Sequence, residues 1–96
     1  MRRVLLVEDE PDARTMMACA LERAGYACRA AADVPTALGA LALGALAAGG
    51  GEPLVKFDAA VLDIVLGADE GAGIELISAV KSVCPHAVVV VVTAFA

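Results

Sequence analysis

The sequence predicts a single α/β domain built on an open, doubly wound parallel sheet with helices on both faces. Three observations predict it. Apolar runs of strand length alternate with stretches in which apolar residues recur at helical spacing. The runs at 4–7, 59–62 and 87–92 are apolar throughout, as strands covered on both faces are. Strands joined through helices run parallel, with right-handed crossovers. A chain of 96 residues, 60% of them hydrophobic, has room for one core, so 1–96 reads as one domain without internal repeats.

Val4, Leu5, Leu6 and Val7 form the first strand, which stops at Glu8, Asp9 and Glu10. Pro11 suits the first turn of a helix, where a missing N–H costs no hydrogen bond. Ala13, Met16, Met17, Ala20, Leu21 and Ala24 recur at helical spacing, with Met16 and Met17 expected as core filler. Gly25 is a natural residue to close that helix. Residues 26–31 read as a weak second strand.

Asp33 is the expected N-cap of a second helix whose face is Leu38, Leu41, Ala42 and Ala45. Gly49-Gly50-Gly51-Glu52-Pro53 breaks it. The third strand, 59–62, ends at Asp63. A loop rich in glycine and acids, 67–73, leads into a third helix over 74–83, with Ile74, Ile77 and Val80 inward. Cys84-Pro85 ends it, because the residue before proline is pushed out of the helical region. The β-branched run 87–92 is the fourth strand, ending at Thr93.

Net charge is -5 and the only basic pair is Arg2–Arg3, which argues against a surface tracking nucleic-acid phosphates. The uncharged stretch 34–51 approaches the length of a membrane span. It is mostly Ala and Gly with Pro35 inside, and so reads as a buried helix and loop, with no membrane role. Four apolar residues after Arg3 are too few for a signal peptide. Cys19, Cys28 and Cys84 are odd in number and lack CxxC spacing, so they fit neither a disulfide framework nor a zinc site. They read as small buried thiols of a reducing cytosol, which makes a cytoplasmic location the expectation. Glu10 reads as a solvated acid, His86 as a residue of a surface turn, and Tyr26 and Phe57 as packing residues.

Three of the strands end in polar residues: Glu8-Asp9, Asp63 and Thr93. Ligands of doubly wound sheets bind at the carboxyl ends of strands, where the strand order reverses. With the order 2-1-3-4, Asp9 and Asp63 face each other across that crevice. Clustered carboxylates repel and need a cation or protons. Acids with a backbone carbonyl and waters are hard oxygen donors suited to Mg²⁺, which often meets a phosphate. The Thr93 hydroxyl and nearby amides can donate to phosphoryl oxygens. The residues alone therefore suggest a magnesium and phosphoryl site with an aspartate as acceptor.

Four segments together carry a family resemblance: Val4-Leu5-Leu6-Val7-Glu8-Asp9-Glu10-Pro11, Phe57-Asp58-Ala59-Ala60-Val61-Leu62-Asp63-Ile64, Gly73-Ile74-Glu75-Leu76 and Val90-Val91-Val92-Thr93-Ala94. In this order they resemble the receiver domain of two-component response regulators, across essentially the whole chain. The resemblance implies a flavodoxin-like fold and a signalling phosphoacceptor rather than an enzyme. It makes Asp63 the phosphoacceptor, supplied by a sensor histidine kinase or phosphotransfer protein. Glu8 and Asp9 match the acidic pair that holds Mg²⁺, and Val65 matches the residue lending the metal its backbone carbonyl. Thr93 matches the switch hydroxyl, with Ala94 beside it.

The chain also departs from the family. A complete receiver has a fifth strand bearing a lysine, and two further helices. Neither Lys56 nor Lys81 matches that lysine, and the chain reads as truncated before the fifth strand. The apolar strand 87–92 is then an open edge, from which self-association or poor folding of the isolated chain is expected. The loop at 67–73 is longer than usual and holds Asp69 and Glu70. Val65 and Phe95, each two residues beyond a site residue, are apolar and expected to shield an acyl phosphate from water. The competing reading is a degenerate receiver that binds protein partners without phosphorylation. A phosphatase of haloacid-dehalogenase type is disfavoured, because Val65 stands where its second aspartate belongs.

Overall fold

The structure, a computed structural model, describes residues 2–47, 57–64 and 70–93, with side chains for all of these except 42–47, 64, 70–73 and 93. In chain order the elements are β1 (Arg3–Glu8), α1 (Pro11–Arg23), β2 (Ala27–Ala31), α2 (Val34–Ala47), β3 (Ala59–Ile64), α3 (Glu70–Val83) and β4 (Val88–Thr93). The strands form one parallel sheet in the order β2-β1-β3-β4, as the alternation of strands and helices implies.

Successive strand residues point to opposite faces. Leu5 and Val7 of β1 and Leu62 of β3 join the core with Leu41 of α2 and Leu76 and Val80 of α3. Val4 and Leu6 lie on the other face, where α1 packs against β1 and β2. That helix does not reach over β3 and β4. Val88, Val90 and Val92, in register with Ala59, Val61 and Asp63, are accordingly exposed.

The amino ends of the strands are tied by Asp58. Its carboxylate accepts from the Arg3 N–H at 2.8 Å, its N–H donates to the Arg3 carbonyl at 2.8 Å, and its carbonyl accepts from the Val88 N–H at 3.0 Å. One residue thus aligns β1, β3 and β4, which fixes what meets at their far ends.

Helix α1 closes as its Gly25 implies. Gly25 takes φ +96, its N–H reaches the Glu22 carbonyl at 3.0 Å, and the Tyr26 N–H reaches Leu21 at 3.0 Å, a Schellman closure. Asp33 caps α2, its Oδ1 accepting from the Thr36 N–H at 2.8 Å. The Thr36 side chain, and then this N–H, hold the Asp33 carboxyl below its ordinary pKa.

Several expectations need correction. No residue of α1 is fully buried, and Met16 is 72% exposed rather than core filler. Met17 and Leu21 are half-buried and form the inward stripe. Helix α3 begins at Glu70, inside the expected loop, and Ile74 is 66% exposed. Leu76 and Val80 are fully buried there instead, with Ile77 and Val83 partly buried beside them. Ile74 lies two residues, about 200° of helical rotation, from Leu76 and so faces away. Cys84 is buried, and its sulfur accepts from the Phe57 N–H at 3.4 Å, but Cys19 is exposed. The triple-glycine break at 49–51, and the Ala42 and Ala45 side chains, lie outside what is described.

Candidate functional site

The parallel register brings the polar strand ends to one rim. Glu8 closes β1 and stands in register with Asp63 on β3. Neighbouring strands are about 4.8 Å apart, so the two carboxylates share one place on the same face. Asp9 follows in the turn to α1 and is exposed. Thr93 ends β4 at the same rim, paired with Ile64, while Asp63 itself pairs with Val92. Val65 and Ala94 lie outside the described residues, as do Lys56, Phe95 and Asp69.

Glu8 is the buried member, at 4% exposure. Its Oε1 accepts from the Glu10 N–H at 3.0 Å, and its Oε2 is buried without a partner among the described residues. Burial, then the neighbouring Asp63 carboxyl, then that of Asp9 push its pKa up from 4.5 to about 7, against the lowering effect of the Glu10 N–H. The physical cause is three acids sharing a partly dehydrated corner.

Glu10 is exposed, as a solvated acid is, and has a structural task as well. Its carboxylate accepts from the N–H groups of Asp12 and Ala13 and caps α1. A carboxylate at this helix end is also favoured by the helix dipole. The cap fixes the angle at which β1 turns into α1, and so the placement of Glu8 and Asp9. Arg14 reinforces the same corner, donating from Nη1 to the Glu8 carbonyl at 3.1 Å. Sequence reasoning passed over Arg14 and did not assign the cap to Glu10.

Lys81 is absent from this rim. Its Nζ donates to the carbonyls of Pro85 at 3.3 Å and Ala87 at 2.7 Å, tying down the turn that enters β4 at the amino end of the sheet.

Among the described residues, no three His, Cys, Asp or Glu side chains form a ready ligand cage. The donor chemistry nevertheless suits a hard divalent cation. Among the described residues a buried carboxylate oxygen lacks a partner beside two further acids, and a cation there would satisfy the oxygen and relieve the repulsion.

Comparison with known proteins agrees with this fold. The family described as the response regulator receiver domain matches residues 4–96. Among solved structures, the chain is similar to the receiver domain of NtrC4 from Aquifex aeolicus, with 27% identity and a TM-score of 0.69 over 100% of this chain and 69% of that one. It is similar to a response regulator protein from Burkholderia pseudomallei solved with a phosphorylated aspartic acid, calcium ion and citrate, at 26% identity and TM-score 0.71 over 100% of this chain and 49% of that one. It is also similar to TrrA in complex with histidine kinase ThkA, at 25% identity and TM-score 0.69 over 100% and 72%. TrrA from Thermotoga maritima bound to Mg²⁺ and BeF matches at 24% identity with TM-score 0.71 over 100% and 72%, and bears on the fold alone. A search of curated proteins finds no significant match.

Proposed function

The chain belongs to the response regulator receiver domain family of two-component signalling, and from that premise we propose that Asp63 is its phosphoacceptor. A carboxylate oxygen of Asp63 attacks the phosphorus of a phosphohistidine. The P–N bond breaks, its electron pair stays with the imidazole nitrogen, and an acyl phosphate remains on Asp63. The donor is a sensor histidine kinase or a phosphotransfer protein; the kinase-bound state of the relative TrrA supports that class of partner.

Glu8, Asp9, Asp63 and the Val65 carbonyl would hold Mg²⁺. When bound, the ion neutralises charge on the transferring phosphoryl group. Glu8 must shed its proton to serve as a ligand, and the Glu10 N–H stays on its other oxygen to keep the carboxylate oriented. Thr93 and Ala94 supply the hydroxyl and backbone that answer the new charge, a local electrostatic event read out at a distant surface. The expected location is the cytoplasm; among the described residues no helix is long and apolar enough to cross a membrane.

The observation that carries this reading is the pairing of buried Glu8 with Asp63 across β1 and β3, with a carboxylate oxygen left unpartnered. Mg²⁺-dependent labelling by acetyl phosphate, lost in Asp63→Asn, tests it. Equal labelling of both proteins moves the acceptor away from Asp63, and no labelling of either favours a receiver that binds protein partners without phosphorylation.

A second partner class is another copy of the chain. In the described sheet β4 is the outer strand, uncharged from Val88 to Thr93, with Val88 at 62% and Val90 at 45% exposure. Open, apolar strand edges pair with other strands.

A further inference from the structure

Arg14 sits where helix electrostatics disfavour a cation. It is the fourth residue of α1, near the positive end of the helix dipole, where acids are favoured and bases are not. The residue is half-buried, and its guanidinium donates to the Glu8 carbonyl at 3.1 Å. Among the described residues, it is the cation whose side chain is hydrogen-bonded to the corner that carries Glu8 and Asp9. The remaining cations are placed elsewhere: Arg2 and Arg3 at the start of β1, Arg23 at the far end of α1, Arg29 in the outer strand β2, and Lys81 on the turn before β4.

A carbonyl also accepts a hydrogen bond from a neutral donor, so the bond alone does not require a charge. The acids beside it do. Glu8, Asp9 and Asp63 present up to three negative charges to a phosphodonor that is itself an anion. A fixed positive charge on the same corner lowers the cost of that approach.

We infer that Arg14 is a positioning residue of the phosphotransfer site, which holds the β1–α1 corner through the Glu8 carbonyl and whose charge draws in the anionic phosphodonor. This inference rests on the receiver reading above and deepens it. Arg14 does not touch the reacting atoms; it acts through the field at the rim and through the backbone of Glu8.

Three versions of the full chain test it: wild type, Arg14→Lys and Arg14→Gln. Glutamine keeps an N–H donor for the Glu8 carbonyl and removes the charge; lysine keeps the charge. The measurements are the acetyl phosphate concentration giving half-maximal phosphorylation rate at saturating Mg²⁺, the Mg²⁺ dissociation constant by calorimetry without donor, and the melting temperature. In Arg14→Gln the half-saturating donor concentration rises about fivefold, as expected of one partly screened charge. Its Mg²⁺ affinity rises, because the lost positive charge no longer opposes the dication, its melting temperature stays close to wild type, and Arg14→Lys recovers most of both charge effects. An unchanged donor requirement in Arg14→Gln overturns the inference. So does a parallel loss of Mg²⁺ binding and thermal stability in both variants, which marks a purely structural clamp. Absence of Mg²⁺ binding and of labelling in the wild type instead overturns the receiver chemistry itself.

Discussion

Glu8 and Asp63 stand in register on adjacent parallel strands, 55 residues apart in sequence, and share one corner of the sheet rim. Glu8 is buried there, and its pKa is raised to about 7 by burial and by its neighbouring acids. Much of the site's measurable behaviour follows from that pairing.

Stability without metal should fall as pH rises. The folded state keeps the Glu8 proton up to about pH 7, whereas the unfolded chain releases it near 4.5. Between those values the folded state binds more protons, so the contribution is complete below about 4.5 and lost as pH climbs through about 7. Urea titrations from pH 5 to 8 read this directly. Glu8→Gln, which cannot ionise, should flatten the profile over that window.

Mg²⁺ affinity should move the opposite way. A cation needs Glu8 ionised, so binding strengthens about tenfold per pH unit below about 7 and levels off above it. Calorimetry at pH 5.5, 6.5 and 8 measures the slope. Equal affinity at all three would remove Glu8 from the ligand set.

The two faces of α3 should respond differently to truncation. Leu76→Ala opens a cavity at a fully buried position and should cost about 2–5 kcal/mol. Ile74→Ala, at 66% exposure, should change stability by less than about 0.5 kcal/mol. Chemical denaturation of both variants checks the helix's rotation.

Self-association through β4 should be visible in solution. The 96-residue chain is expected to gain mass with concentration in sedimentation experiments. Val90→Lys places a charge on the exposed face of that strand and should shift the population toward monomer. A wild-type chain that stays monomeric at high concentration would contradict the edge-pairing reading.

Much of this architecture was legible because buried parallel strands read as uninterrupted apolar runs. Val4 to Val7 and Ala59 to Leu62 could hardly be anything else, and they place Glu8, Asp9 and Asp63 at strand ends. The helices were less legible. Gly71 and Gly73 read as loop residues, since glycine costs about 1 kcal/mol in a helix, yet α3 runs through both. Packing of Leu76 and Val80 lower in the same helix outweighs that local preference. Met16 and Met17 both fit a helical apolar stripe, but residues 100° apart cannot both face a helix's single contact, and the sheet takes Met17. Sequence spacing named the acids of the site. It did not reveal that Glu10 spends its carboxylate on the cap of α1, because glutamate is an uncommon N-cap and the long side chain must fold back to reach Asp12 and Ala13.

The most direct test of the central claim is intact-protein mass spectrometry of the chain after incubation with acetyl phosphate, with and without Mg²⁺, followed by borohydride trapping and peptide mapping. The account requires one added phosphoryl group that appears only with Mg²⁺, maps to Asp63 and is missing from Asp63→Asn. Modification at another residue, or a gain in mass that persists in Asp63→Asn, would contradict it.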